Sequence, residues 1–364
     1  MDKKEILNKT INLTTMNIVI NGQFTARKMT GQERFAYEII SELDKLKTDI
    51  KFTLVIPKNA KNIPPLKNIP IIKYGKAKGS LWEQTFFAYY TIRHKALSLN
   101  LCSIMPLLKP GIICIHDLCY KVNPQYFKTP YARISRLWHI IQFHFAWNFS
   151  PLILTVSEFS KQQMIDIYHV NPDKIKVLGN GWEHFERVKE DTSLIDRHPE
   201  LFQKPYFFSL GSLAPNKNIK WILEVAQNHP QYNFYIAGNA NPTAYKEDYN
   251  SNDYTNVQFL GYISDSEIKT FMKYCKAFIF PSYFEGFGIP PLEALSVGAK
   301  VIAANTSCLP EILQDTCYYI DPYNTDINLD TLLSNQVQKP NKVLEKYQFK
   351  NFALLLLKYL SSIK

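Results

Sequence analysis

The 364-residue sequence predicts an α/β protein with two doubly wound domains, each a parallel sheet covered by helices on both faces. Three observations predict this class. Short apolar runs alternate with longer stretches at helical spacing. The same alternation occurs in both halves, and the chain is long enough for two hydrophobic cores. A polar, charged stretch at 183–204 separates the halves, so we interpret it as the linker.

In the first half, a strand is predicted wherever a short apolar run lies between polar turns. These strands are expected at 16–21, 52–56, 112–115, 152–156 and 174–177. Helical spacing covers 33–46 and 157–168, and Ser157 is the expected N-cap of the second helix.

The second half repeats the pattern. Strands are expected at 206–210, 233–237, 258–260, 277–280, 301–303 and 317–320. Helices are expected at 219–228, 265–274, 292–297 and, at the end of the chain, 341–360. Two such domains facing each other create a cleft at the carboxyl ends of both sheets, where ligands bind in this fold class.

The strongest candidate site follows an apolar strand, where the sequence reads PSYFEGFGIPPLEALSVGAKVIA. Pro290 and Pro291 suit a helix start, and Gly298 suits its end. The helix N-terminus would present free backbone N–H groups, which bind phosphate. Glu293, expected in the first turn, can accept two hydrogen bonds from a ribose diol, and Glu285 lies in the preceding loop. The alternative is that both acids only favour the positive end of the helix dipole.

The net charge of +10 lies entirely in the first half of the chain. Residues 1–190 hold 27 Lys and Arg against 15 Asp and Glu, whereas the remainder holds 15 against 17. The run 58–78 alone contributes six lysines. Such an excess fits nucleic acid, an anionic membrane surface or a merely solvated basic face. Because zinc-finger, RNP and basic-zipper patterns are missing, we expect no nucleic-acid partner and favour the membrane among the binding interpretations.

The aromatic-rich segment 131–149 reads YARISRLWHIIQFHFAWNF and predicts a helix with Trp138 and Trp147 on an apolar face. It can be a core helix or a helix lying in a bilayer interface. No run of about 18 apolar residues occurs, so no membrane-spanning helix is expected. The N-terminus lacks a signal-peptide pattern, and the six cysteines show no CxxC spacing, which indicates a reducing compartment. We therefore expect a cytoplasmic protein.

The spacing in EGFGIPPLE resembles the E-x7-E signature of the retaining glycosyltransferases of family 4, which have the GT-B fold. That fold has two Rossmann-like domains facing a central cleft. Other segments of the sequence also resemble the family pattern. They are NGQFTARKMTGQERFAYEI, LWEQ, IHDL, LTVSEFSKQQM, VLGNGWEHF, FSLGSLAPNKNI and NVQFLGYISDSEI. The resemblance implies an acceptor-binding domain at 1–190, a donor-binding domain at 191–344, and a final helix within 345–364 that packs back on the first domain.

The resemblance also implies roles for individual residues. The catalytic residues would be Glu285 and His116, beside the donor sugar, and Lys217, on the diphosphate, where its charge would stabilise the leaving group. Donor binding would fall on Gly31, Ser212, Lys217, Tyr262, Phe287, Gly288, Ile289 and Glu293.

One position departs from the family pattern. Many relatives have an arginine near Lys217, where this chain has Ser212 and Asn216. Arg34, which is expected to anchor the helix after the first glycine loop, or another residue would then supply the missing positive charge. Asp117 is expected to hold the loop that follows the strand at 112–115.

The branch of the family with LWEQ and IHDL resembles mannosyl- and rhamnosyltransferases of O-antigen, capsule and exopolysaccharide assembly. This implies a retaining hexosyl transfer from a nucleotide-diphosphate sugar to a lipid-linked oligosaccharide. GDP-mannose is the first expected donor, with UDP- and dTDP-sugars as alternatives. The protein would work peripherally on the anionic inner face of the cytoplasmic membrane. No D-x-D triplet occurs, so we expect neither a metal nor a cofactor, with Lys217 and a helix terminus balancing the diphosphate charge.

Three alternatives stay open. A sugar-nucleotide epimerase of the same shape would need a carboxylate and histidine set that we do not find. A non-catalytic nucleotide-binding scaffold is slightly favoured by Ser212 and Asn216, but the presence of Glu285, Glu293, Lys217 and His116 argues against it. A basic nucleic-acid binder would bind duplex DNA with strong salt dependence.

Overall fold

The computed structural model of the protein describes residues 16–238 and 254–363, which form two parallel sheets with helices packed against them. The two-domain α/β class predicted from the sequence is therefore confirmed. Residues 1–15, where we found no signal-peptide pattern, lie outside the described residues.

The first sheet has seven strands in the order β3-β2-β1-β4-β5-β6-β7, and every neighbouring pair is parallel. These strands are β1 (Asn17–Asn21), β2 (Lys51–Ile56), β3 (Ile71–Lys73), β4 (Leu97–Asn100), β5 (Ile112–Cys114), β6 (Ile153–Thr155) and β7 (Ile175–Val177).

The second sheet has six parallel strands in the order β10-β9-β8-β11-β12-β13. They are β8 (Tyr206–Leu210), β9 (Asn233–Ala237), β10 (Val257–Gly261), β11 (Ala277–Phe280), β12 (Val301–Ala304) and β13 (Tyr318–Ile320). Strands such as β8 and β11 are buried along nearly their whole length because helices cover both faces, as their continuous apolar runs predict.

The helices connect successive strands or follow the sheets. They are α1 (Gly31–Leu43), α2 (Gly79–Trp82), α3 (Ala88–Arg93), α4 (Cys119–Val122), α5 (Pro130–Phe149), α6 (Glu158–Tyr168), α7 (Ser193–Arg197), α8 (Ile219–Gln227), α9 (Asp265–Tyr274), α10 (Ile289–Ser296), α11 (Leu309–Leu313), α12 (Leu329–Ser334), α13 (Asn341–Lys346) and α14 (Phe349–Ser361). Ser157 caps α6 as expected, because its side chain accepts the N–H of Ser160.

Strands β3 and β4 were not predicted. β4 reads LSLN, and its buried Ser98 and Asn100 hide the apolar pattern. Asn100 is tolerated in the core because its Nδ2 donates to the carbonyl of Ile112 at 2.9 Å. β3 is a short edge strand with two exposed residues, so its sequence carries little apolar signal.

The single terminal helix expected at 341–360 is wrong. The chain breaks at Tyr347 (φ −97°, ψ 60°), which separates α13 from α14. The Tyr347 ring packs edge-on against Phe287, 5.3 Å between centroids, and its hydroxyl donates to the carbonyl of Glu311 at 3.3 Å. The break thus serves contacts with the second domain. Beyond it, α14 packs on α1, and Tyr359 donates to the carbonyl of Val177, so the predicted crossing to the first domain is confirmed.

The stretch 183–204 joins β7 to β8, but it is not the loose linker that its polarity predicts. It starts with the 3₁₀ turn Glu183–Arg187 and includes α7. Phe185 and Leu194 are buried, so this segment packs as part of the fold. The 3₁₀ turn also brings His184 into the cleft.

Helix α5 occupies the predicted aromatic segment. Ala132, Phe143 and Ala146 face the core, whereas Tyr131, Ile134 and several other apolar side chains are exposed. The helix is therefore a core helix on one face only. Within the described residues, no helix is long and apolar enough to cross a membrane.

Candidate active site

The candidate site is a cavity of about 750 Å³ between the two sheets. In the second sheet, the chain order reverses between β8 and β11, and the loops after these two strands line the cavity. Such a switch point opens a crevice at the strand ends. All of the catalytic and donor-binding residues predicted from the sequence line this cavity: Gly31, His116, Ser212, Lys217, Tyr262, Glu285, Phe287, Gly288, Ile289 and Glu293.

The loop after β11 leads into α10, with Pro290 and Pro291 in the first helical turn as predicted. The helix already begins at Ile289, so Glu293 is its fifth residue. The expectation that Glu293 lies in the first turn is therefore wrong by one position. Glu293 is 9% exposed and lines the cavity all the same, because side chains tilt toward a helix N-terminus.

Lys217 and Glu285 form an ion pair inside the cavity. Lys217 ends a 3₁₀ turn after β8, and its Nζ lies 2.6 Å from Glu285 Oε1. Both side chains are mostly buried, at 20% and 13% exposure. The backbone N–H of Glu285 donates to the Ser307 hydroxyl, which fixes the loop. The positive charge of Lys217 and the carboxylate of Glu285 thus lie on the two segments that flank the switch point.

His116 follows β5 on the opposite side of the cleft. Its Nε2 lies 2.8 Å from the carbonyl of Leu101, so Nε2 carries the hydrogen and Nδ1 is left as an acceptor. Burial lowers the pKa of His116, which favours the neutral ring. Asp117 accepts the N–H of Cys119 at 2.8 Å and so holds the loop as expected. Burial, with the nearby charge of Glu285, raises the pKa of Asp117.

Glu293 has a partner that the sequence did not predict. His184 Nε2 lies 2.9 Å from Glu293 Oε1, and His184 also lines the cavity. The polar composition of 183–204 led us to assign this residue to the linker. A signal in the sequence could have identified His184 as a site residue. Glu183 and His184 lie between two large apolar residues, Trp182 and Phe185, and these are buried only if the segment packs against the rest of the protein.

Arg34 does not anchor its own helix. Its Nη2 lies 2.9 Å from Asp265 Oδ2, at the start of α9 in the other sheet's domain. The charge of Arg34 is thus shared with a carboxylate across the cleft mouth. Tyr262 stands nearby, 68% exposed, with Lys28 Nζ 4.5 Å from its ring centroid.

The two domains touch directly at the back of the cleft. Ser157 Oγ donates to the carbonyl of Gly286 at 2.8 Å. A Cβ atom on Gly286 would lie 2.2 Å from the carbonyl oxygen of His116, so only glycine permits this approach. Glu311 accepts the backbone N–H groups of Glu158 and Phe159, and so caps α6 from the other domain. These contacts hold the cleft closed on this side.

A second cavity of about 850 Å³ adjoins the first, with Thr30 and Gln32 lining both. Arg27, which lines this second cavity, has its Nη2 3.4 Å from Glu83 Oε2. Burial raises the pKa of Glu83 to about 7, although the charge of Arg27 opposes the shift. Glu33, which accepts from Thr30, also lines this cavity.

Among residues 16–238 and 254–363, no group of three or more His, Cys, Asp and Glu side chains could hold a metal ion.

Comparisons with known proteins agree with this architecture. Residues 192–347 match the family model described as "Glycosyl transferases group 1". The chain is 25% identical over 232 residues to "O-antigen chain mannosyltransferase B" of Escherichia coli, covering 60% of this chain and 59% of that relative. It is also 25% identical over 271 residues to "O-antigen chain mannosyltransferase RfbU" of Salmonella typhimurium, covering 71% and 72%.

Among solved structures, the Anabaena protein Alr3699/HepE, in complex with UDP and glucose, superposes with a TM-score of 0.69 at 17% identity. The superposition covers 95% of this chain and all of that one, and it shows a shared GT-B fold. Within this two-sheet GT-B architecture, residues 192–347 form a domain of the glycosyl transferases group 1 family.

Proposed function

We propose that this protein is a retaining glycosyltransferase of cell-surface polysaccharide assembly, which moves a hexosyl group from a nucleotide-diphosphate sugar to a lipid-linked oligosaccharide. The observation that carries the proposal is the cavity in which the Lys217–Glu285 pair and Glu293 surround the N-terminus of α10. GDP-mannose is the favoured donor, because the two relatives described above are named as mannosyltransferases. UDP- and dTDP-sugars are the alternatives.

The reaction needs charge stabilisation more than acid–base chemistry. The bond between C1 of the sugar and the diphosphate oxygen breaks, and a bond from C1 to the acceptor oxygen forms on the same face. The acceptor's proton passes to the departing diphosphate. Lys217 and the backbone N–H groups of Gly288 and Ile289, just before the two prolines of α10, stabilise the diphosphate charge, so we propose no role for a metal. Glu285 orients the sugar, and the Nδ1 lone pair of His116 accepts from a sugar hydroxyl.

The second cavity is the proposed acceptor site. It adjoins the donor cavity at Thr30 and Gln32, so an acceptor hydroxyl can meet the donor sugar there. Its wall includes Trp138 and Tyr131, and aromatic faces suit the apolar faces of sugar rings. The charged side chains of the partly exposed Arg27 and the buried Glu33 offer hydrogen bonds to sugar hydroxyls.

The first domain is the proposed membrane-contacting part. Exposed Leu81, Tyr131 and Ile134 all line the mouth of the acceptor cavity, which places an apolar surface where a lipid carrier would leave it. Exposed lysines stand close by in the run 73–78. Apolar side chains beside basic ones suit an anionic membrane surface.

A thermal-shift experiment tests the donor site. We expect GDP, UDP or dTDP, alone or as sugar conjugates, to raise the melting temperature of the wild type in EDTA. A ligand at 100 times its Kd adds about 2.7 kcal/mol to the free energy of unfolding. Glu293→Gln should lose most of this gain, because a neutral amide accepts ribose hydroxyls more weakly than a carboxylate. Glu224→Gln changes a partly exposed acid on α8, outside the cavity lining, and is the matched control that should retain the gain.

Two results would contradict the proposal. If no nucleotide stabilises the wild type, the non-catalytic scaffold interpretation is favoured. If stabilisation appears only with added Mg²⁺, the assignment of the diphosphate charge to Lys217 and α10 is wrong.

A vesicle sedimentation experiment tests the membrane surface. The wild type should bind vesicles containing phosphatidylglycerol more strongly than pure phosphatidylcholine vesicles, and salt should weaken the binding. Leu81→Ser with Ile134→Ser should reduce binding by about tenfold, because two exposed apolar side chains no longer insert. Tyr323→Ser is the control. It removes an aromatic side chain of the second domain that is as exposed as Leu81 and Ile134, and it should leave vesicle binding unchanged. Equal binding by all three proteins would rule out this surface.

A further inference from the structure

We infer that His184 positions the Glu293 carboxylate for the ribose of the nucleotide donor. The inference rests on the proposed function, since it requires a nucleotide in the cleft. His184 belongs to the 3₁₀ turn Glu183–Arg187, which leaves the first domain, whereas Glu293 belongs to α10 of the second. Their contact, 2.9 Å from Nε2 to Oε1, therefore joins the connecting segment to the donor site.

The contact involves one ring nitrogen of His184. Nε2 is the nitrogen that faces the carboxylate, 2.9 Å from Glu293 Oε1. The other ring nitrogen, Nδ1, is buried and has no hydrogen-bond partner within the described part of the chain.

The histidine is itself held in place. Its ring lies 6.1 Å from that of Phe349, the fully buried first residue of α14, and the His184 side chain is only 3% exposed. A ring fixed in this way can fix its partner. Glu293 has three rotatable side-chain bonds, and the contact between His184 and Oε1 selects one arrangement among the rotamers.

The selected arrangement has a consequence for the ligand. Among the described residues, the His184 contact falls on Oε1 and no donor lies against the second carboxylate oxygen of Glu293, Oε2, while Glu293 lines the cavity. Oε2 is therefore available to a ribose hydroxyl, and Oε1 keeps a second lone pair for the neighbouring hydroxyl. His184 is thus a positioning residue, and its loss should affect recognition of the ribose more than recognition of the diphosphate.

The experiment compares nucleotides with and without the 2′-hydroxyl. Titration calorimetry would measure the Kd of GDP against 2′-deoxy-GDP and of UDP against 2′-deoxy-UDP. We expect the wild type to prefer the ribonucleotide by about tenfold, the value of one charge-assisted hydrogen bond. In His184→Ala this preference should fall close to one. His184→Gln, whose side-chain amide can donate from a similar position, should restore part of it.

The matched control is His229→Ala. His229 is another buried histidine, bonded to Val225 and Leu329 and absent from the cavity lining, so its loss should lower the melting temperature but leave the preference unchanged. In donor titrations, His184→Ala should raise KM with little change in kcat. If the variant weakens ribo- and deoxyribonucleotides equally, or weakens neither, His184 does not position Glu293. If the wild type binds no nucleotide at all, the proposed function fails and this inference fails with it.

Discussion

Replacing Lys217 with methionine should lower kcat/KM for the nucleotide-sugar donor by roughly 10²- to 10³-fold, the usual effect of removing one group that stabilises a developing negative charge. The Lys217 ammonium is the cation that contacts Glu285 inside the cavity, at 2.6 Å. When the nucleoside diphosphate departs from the sugar, the positive charge of Lys217 is already in place and no side chain has to move. Methionine keeps the length of the side chain, so the change removes the charge with little loss of volume.

Binding measurements separate this effect from a general disturbance of the site. The wild type should bind a nucleoside diphosphate much more tightly than the corresponding nucleoside, and Lys217→Met should lose most of that difference. Lys220→Met is the matched control, because Lys220 is 78% exposed and pairs only with Glu224 on the same helix. Unchanged kcat/KM in Lys217→Met would show that another residue stabilises the leaving group.

Replacing Gly286 with alanine should reduce kcat/KM by at least about 10²-fold, because a misplacement of about 1 Å at a catalytic constellation already costs that much. The new Cβ would lie 2.2 Å from the carbonyl oxygen of His116, and backbone cannot yield as a flexible side chain can. The two domains must therefore separate at this point. Separation moves Glu285, the neighbour of Gly286, away from His116.

The control for this prediction is Gly298→Ala, one residue beyond the C-cap of α10. Gly298 has φ +83° and open space around a Cβ, so alanine there should cost about 1–2 kcal/mol of stability without moving the cleft. We expect the two variants to differ in activity: Gly286→Ala loses far more activity than its loss of stability explains, whereas Gly298→Ala has a lower melting temperature and keeps its activity. Parallel losses of stability and activity in both variants would contradict a role for the domain contact. X-ray scattering should show a larger radius of gyration for Gly286→Ala alone.

The sequence by itself determined the class of the fold and the segments that form the candidate site. Apolar runs such as 206–210 and 277–280 predict buried parallel strands, and the structure has strands with these same bounds. Lys217 and Glu285 lie in the segments that follow such strands, and Glu293 lies in the next helix, so their location at the cleft follows from local pattern. Their roles stay predictions until the donor is bound and measured.

Only the tertiary structure decided the features that join distant parts of the chain. Four features each depend on a partner elsewhere in the sequence. They are the polar interior of β4, the break at Tyr347, the Arg34–Asp265 ion pair and the His184–Glu293 contact. Local periodicity in the sequence indicates which face of a segment is buried. It does not indicate a hydrogen bond that another element of the fold supplies. A polar segment therefore predicts a linker even when one of its residues, as in the case of His184, is held at the centre of the site.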